Sequence, residues 1–211
     1  MPPTSGGPAQ QLVVLLHGYG ADGEDLIGLA PYIARLLPNA VFLAPNAPER
    51  CAMQPMGFQW WGIQSFSHAE RLAGAECCAP ILNDFIDTEL ERYGLAESQL
   101  ALVGFSQGTM MALHVGLRRP RQLAGIVGYS GALVAPERLP DEIRSKPPVL
   151  LVHGDRDELL PPDSTLEAVQ GLSLAGVTVE WHLSRGVAHA IAQDGLDLGA
   201  AFLRRTLNGQ L

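Results

Sequence analysis

The chain has 211 residues, 47% of them hydrophobic, which suffices for one sizeable core. Its formal net charge of −8 excludes a surface built for nucleic acid or anionic lipid, which would need clustered Lys and Arg; Lys146 is the one lysine. The three cysteines, Cys51, Cys77 and Cys78, are an odd number without a CxxC pair, so neither a disulfide framework nor a metal site is expected, and a reducing cytoplasm fits best.

Met1 to Gln10, with Pro2, Pro3, Gly6, Gly7 and Pro8, read as a short mobile tail without the basic and apolar regions of a secretory signal. Residues 11–211 then form a single domain. No apolar run approaches membrane-spanning length, so no stable membrane insertion is expected. Apolar runs of four to seven residues alternate with longer amphipathic stretches, the pattern of a mostly parallel sheet covered by helices on both faces. Strands are predicted at Leu12–Leu16, Ala40–Ala44, Leu100–Val103, Gly125–Tyr129, Val149–His153 and Thr178–Leu183. Helices are predicted at Asp25–Leu37, His68–Tyr93, Gln107–Arg118, Asp163–Ala175 and Ala190–Leu207. In the second helix Leu72, Ala75, Ala79, Leu82, Ile86 and Leu90 form an apolar stripe that Pro80 interrupts, which predicts a kink or a break.

The first strand runs into Gly18-Tyr19-Gly20-Ala21-Asp22-Gly23, a literal G-x-G-x-x-G. A dinucleotide site would also need an acidic residue at the end of the next strand, and that strand ends Leu43-Ala44-Pro45-Asn46, so no cofactor is expected. The other reading is an oxyanion loop, in which glycines let the backbone approach a substrate and Tyr19 N–H is one donor. His17 then ties the loop through its ring nitrogens. The connection from Asn46 to Ser67 carries Met53, Met56, Phe58, Trp60, Trp61, Ile63 and Phe66 yet alternates as neither strand nor helix. Large apolar groups on a long loop read either as the wall of an acyl groove, with Met53, Phe58, Trp60 and Trp61 as the binding residues, or as packing on the core.

At Leu100 to Thr109 an apolar run ends in Gly104-Phe105-Ser106-Gln107-Gly108 and an amphipathic stretch follows. This is the layout of a nucleophile elbow, which exposes a serine Oγ above the sheet and aims the next backbone N–H, that of Gln107, at the reacting oxygen. The fold built on such an elbow takes its partners in the order Ser, then Asp or Glu, then His. Downstream histidines are His153, His182 and His189. The first two belong to strands and read as satisfied sheet residues, whereas His189 stands in a loop before the last helix, from which an imidazole reaches Oγ. Asp155 and Asp157 both leave the strand before it at the right edge. The residue nearer the strand more often anchors the turn, which favours Asp157 as the orienting carboxylate.

Taken together, Leu16-His17-Gly18-Tyr19-Gly20, Gly104-Phe105-Ser106-Gln107-Gly108, His153-Gly154 with Asp155, Asp157 and Pro161, and Gly186 three residues before His189 resemble the phospholipase/carboxylesterase family of small α/β-hydrolases, which includes the acyl-protein thioesterases. The resemblance implies an α/β-hydrolase fold, a Ser106–Asp157–His189 triad, and Tyr19 and Gln107 amides as the oxyanion hole. It also implies a small-molecule acyl ester or thioester substrate, a lysophospholipid among the candidates, with no cofactor and with a homodimer as one assembly the family adopts. Tyr19 stands where thioesterase members carry leucine, and Gln59-Trp60-Trp61 is more similar to bacterial carboxylesterases. About eighteen residues separate the strand ending at Tyr129 from the one starting at Val149, too few for a helical cap domain, so the site is expected to be open.

Overall fold

The computed structural model describes residues 1–65 and 67–210 of the chain, so Phe66 of the aromatic loop lies outside the described residues. Six parallel strands form one sheet: β1 (Gln11–Leu16), β2 (Ala40–Leu43), β5 (Leu100–Phe105), β6 (Gly125–Tyr129), β7 (Val149–Gly154) and β8 (Val179–Ser184), in the order β2-β1-β5-β6-β7-β8. Their side chains divide the core by simple alternation. Leu12, Val14 and Leu16 point to one face, where they meet α3 (His68–Tyr93), α4 (Gln107–Gly116) and α6 (Asp163–Leu174). Val13 and Leu15 point to the other, packed with α1 (Gly23–Ile27), α2 (Ala30–Ile33) and α7 (Gln193–Leu207). Strands buried on both faces explain why they read as continuous apolar runs.

The expected helix over Asp25–Leu37 is instead two short ones, α1 and α2. Gly28 caps α1, and Pro31 in the first turn of α2 has no N–H to continue the hydrogen-bond ladder from α1. The opposite outcome holds at Pro80, where α3 runs unbroken through the proline for 26 residues. Burial of Ala75 and Cys78 before it and Leu82, Ile86 and Leu90 after it keeps both halves on the same core, which outweighs one lost hydrogen bond. The last helix starts at Gln193 rather than Ala190, because Ala192 is extended and Ala190 N–H turns back to Ala188 O. Residues 1–10, expected as a tail, lie along the β2 edge: the Met1 ammonium donates to Phe42 O (2.6 Å) and Phe42 N–H to Met1 O (2.9 Å). The 130–148 connection holds one 3₁₀ turn, Pro136–Arg138, and the single-turn α5 (Leu139–Glu142), with no cap. The 46–67 connection contains the two-residue antiparallel pair β3 (Glu49–Arg50) and β4 (Phe58–Gln59).

The chain reverses direction across the sheet between β1 and β5. Their neighbouring carboxyl ends open a crevice there, the usual location of a site in an open α/β sheet.

Candidate active site

Ser106 stands between β5 and α4 with φ 54° and ψ −116°, outside the regions that L-residues ordinarily occupy. Such a conformation costs about 1–3 kcal/mol and persists only where the surroundings enforce it. Here Ser106 N–H donates to Tyr129 O (2.9 Å), and Ser106 O accepts from Thr109 N–H (3.0 Å) and Met110 N–H (3.2 Å). The flanking glycines are steric necessities: a Cβ on Gly104 would overlap the Gly108–Thr109 backbone, and one on Gly108 would overlap Leu16 O at the end of β1. The first turn of α4 leaves Gln107 N–H without an intrahelical partner, and Tyr19 N–H has none among the described residues. Gly18 places the Tyr19 loop against the elbow, since a Cβ there would come within 3.2 Å of Ser106 Cβ. Elsewhere the loop's donors are consumed: Gly20 N–H goes to Phe58 O (2.9 Å) and Gly23 N–H to Asn46 Oδ1 (2.8 Å). It is thus a braced connection rather than a phosphate cradle.

His17 has the structural role expected of it. Its Nε2 accepts from Ala47 N–H (2.9 Å), so the proton sits on Nδ1 and is donated to Gly18 O (2.7 Å). Burial holds its pKa below the ordinary histidine value, against the pull of Gly18 O, Asp22 and Asp25.

The two candidate carboxylates separate cleanly. Asp157 is buried and its Oδ2 lies 2.6 Å from His189 Nδ1, while Oδ1 accepts from Leu159 N–H (3.0 Å) and Leu160 N–H (2.9 Å). Burial raises its pKa, but Leu160 N–H, the His189 hydrogen bond and the nearby His189 and His153 rings outweigh that, and the net shift is downward. Asp155 is exposed and instead anchors the histidine loop, its Oδ1 accepting from Gly186 N–H at 2.6 Å. Gly154 completes the arrangement, because a Cβ there would overlap the carbonyls of Val187 and Ala188. The Asp loop and the His loop can therefore lie backbone to backbone. Phe105 packs its ring on the His189 imidazole, with centroids 4.9 Å apart.

Ser106 and His189 face one cavity of about 440 Å³, though Ser106 Oγ makes no hydrogen bond among the described residues. Its lining is almost wholly apolar: Tyr19, Ala21, Met53, Trp61, Ile63, Phe105, Met110, Leu159 and Leu160, with Glu70 and Arg71 as the charged members. The aromatic loop splits. Met53, 77% exposed, and Trp61 line the cavity; Phe58 and Trp60 do not. Trp60 is buried in the core with its Nε1–H on His17 O (3.0 Å), and Phe58 stacks under the Arg50 guanidinium. Trp61 fits because α3 carries Gly74 opposite its indole, where a Cβ would overlap the ring.

Three features were not read from the sequence. Gln107 clamps the aromatic loop with its side chain, Oε1 accepting from Trp60 N–H and Nε2 donating to Trp61 O, both at 2.9 Å. Leu159 and Leu160 add to the cavity wall, for which two adjacent leucines in an otherwise acidic turn were the available signal. His153, read as a satisfied sheet residue, reaches Asp157 Oδ2 at 3.1 Å. Its four-residue spacing from Asp157 was the only hint.

Comparisons with known proteins identify the family. The model of the phospholipase/carboxylesterase family matches residues 4–207. Among characterised relatives, the esterase YpfH of Escherichia coli (strain K12) is 26% identical over 200 residues, covering 95% of this chain and 84% of that protein. Acyl-protein thioesterase 1 of Saccharomyces cerevisiae is 29% identical over 216 residues, covering 95% of both. Among solved structures, esterase PE8 superposes with a TM-score of 0.94 at 47% identity, covering 98% of this chain and 97% of that one. A family model spanning nearly the whole chain, on an α/β-hydrolase sheet with a serine elbow at its crevice, makes this protein a member of the phospholipase/carboxylesterase family, a hydrolase of ester or thioester bonds.

Proposed function

We propose that the chain is a serine carboxylesterase acting on short to medium acyl esters through an acyl-enzyme. The observation that carries the reading is the convergence on one apolar cavity of a conformationally strained serine and an imidazole whose Nδ1 rests on a buried carboxylate. With Nδ1–H held by Asp157, His189 presents Nε2 as the base. Ser106 Oγ attacks the acyl carbon and His189 takes its proton. The Tyr19 and Gln107 amides receive the oxyanion. Collapse of the tetrahedral intermediate breaks the bond to the leaving alcohol, which takes the proton back from His189. Water then attacks the acyl-Ser106 ester with His189 again as base; collapse breaks the bond to Ser106 Oγ, which takes the proton back from His189, and the acid departs. The cavity wall of Met53, Trp61, Ile63, Met110, Leu159 and Leu160 suits an acyl chain, which gains from apolar burial without needing directional contacts.

A fluorophosphonate probe tests this directly: it labels the wild-type protein at one site, Ser106→Ala is unlabelled, and labelling that persists in that variant overturns the assignment. The acyl-protein thioesterase reading draws on the Saccharomyces cerevisiae relative. Comparing kcat/KM on matched octanoyl esters and thioesters decides between the two.

A further inference from the structure

His153 closes β7 and is buried, and the proposed catalytic chemistry leaves it without a role. Its ring has three partners. Nε2 faces two acceptors, Asp157 Oδ2 at 3.1 Å and Leu160 O at 2.8 Å, while Nδ1 lies 2.7 Å from Thr165 Oγ1 on α6. Two acceptors at one nitrogen require a proton there, so Nε2–H donates to both. Thr165 O–H can then donate to Nδ1, which completes a satisfied neutral ring. The neighbouring oxygen pattern shows what this achieves. Asp157 Oδ2 accepts from His189 Nδ1 and His153 Nε2, and Oδ1 accepts from two backbone amides, so the carboxylate is held on every side. Leu160 is tied twice, by its N–H to Asp157 and by its O to His153, and it lines the acyl cavity.

We propose that His153 is a positioning residue, locked as its Nε2–H tautomer by Thr165, that aims Asp157 at His189 and sets how strongly that carboxylate supports the imidazolium. The inference rests on the Ser106–His189–Asp157 reading. A carboxylate sharing its charge among several donors is a weaker partner for any one of them, so the Nε2–H bond from His153 weakens the hold of Asp157 on His189. The titratable groups in contact with Asp157 are the two imidazoles. Asp155, Arg156 and Glu158 on its own loop are exposed, Asp163 at the start of α6 is exposed, and on β8 and α7 His182 is paired with Asp194.

The test compares His153→Phe, which fills the space without a donor, with His153→Gln, which restores an N–H near the Nε2 position, and with Thr165→Val. In His153→Phe, kcat on a p-nitrophenyl ester falls about ten- to a hundredfold with little change in KM, and the acid limb of the kcat/KM profile moves up by about half a pH unit or more. His153→Gln recovers most of both, and Thr165→Val moves both in the same direction by less. If His153→Phe lowers thermal stability while leaving the kcat of the folded fraction and the acid limb unchanged, the residue is structural only and the proposal fails. Should that variant not fold, a Gln variant with a wild-type pH profile and an unchanged profile in Thr165→Val support and refute it respectively. Asp157→Asn is run alongside: near-normal turnover there overturns the triad reading itself, whereas collapse there with unchanged His153 variants overturns only this inference.

Discussion

Two walls enclose the same cavity and are fixed by different means. The proposed catalytic wall, which carries Ser106, Asp157 and His189, is spliced directly onto the ends of β1, β5, β7 and β8, and at Gly104, Gly108 and Gly154 its backbones approach so closely that no side chain fits. The aromatic wall, over its described residues 46–65 and 67, has a two-residue strand pair of its own and touches the 18–23 loop by backbone only near Phe58, where Gly20 N–H donates to Phe58 O and Phe58 N–H to Ala21 O; the rest is held by side chains: Gln107 on Trp60 and Trp61, Trp60 on His17 O, Cys78 on Trp60 O. Its tip is open to solvent, with Met53 77% and Met56 84% exposed. On the proposed function the difference has a physical logic. Reacting groups need a geometry held to a fraction of an ångström, which sheet ends supply, whereas an acyl chain needs only apolar area and tolerates adjustable side chains.

The largest break in this contrast should come from the catalytic wall. Asp157→Asn is expected to lower kcat by about 10⁴-fold with the fold retained, while Asp155→Asn, whose carboxylate only anchors Gly186, stays within about tenfold. Kinetics with circular dichroism separate the two. In the aromatic wall, Trp60→Ala should cost about 3–5 kcal/mol in urea unfolding, because it empties a core position and strips a donor from His17 O, and should leave acyl-chain preference unaltered. Gly108→Ala should destabilise by about 3 kcal/mol or more, since backbone on both sides must move to admit one methyl.

A subtler difference lies inside α4, where His114 is buried and its Nδ1 has no partner among the described residues. Burial, assisted by the Arg118 charge, pushes its pKa down to about 4. The unfolded chain therefore binds a proton that the folded one refuses. Stability is full above about pH 6.5 and falls, by up to about 3 kcal/mol, as the pH drops toward 4. Urea midpoints at pH 7.5 and 4.5 should converge in His114→Gln relative to wild type. The smallest expected effect is the most specific. Trp61→Ala should flatten the rise of kcat/KM along a p-nitrophenyl acyl series, removing about 1–3 kcal/mol of discrimination between short and medium chains, with acetyl ester turnover nearly unchanged. A uniform loss on every ester would make Trp61 structural like its neighbour.

Much of the layout of the Ser106 wall is legible in the sequence. Strand positions follow from short apolar runs, and the elbow follows from glycines two residues either side of Ser106. The break between α1 and α2 at Gly28 and Pro31, and the continuity of α3 through Pro80, were less so. A proline's local cost is the same in both, and tertiary burial of the flanking stripe decides the result.

What the sequence determined by itself depends mostly on neighbours along the chain: strand and helix periods, the steric demand for Gly104 against the Gly108–Thr109 backbone, and a Ser, Asp, His order that fits a single hydrolase topology. Only the tertiary structure decided which of two nearby carboxylates is buried on an imidazole, which of two adjacent tryptophans turns to the cavity, and that His153 shares Asp157 with His189. These are contacts between segments 30 or more residues apart, or between side chains one turn apart on a loop of no fixed period. No local pattern encodes them, because their energies arise only once the strand ends have been brought together.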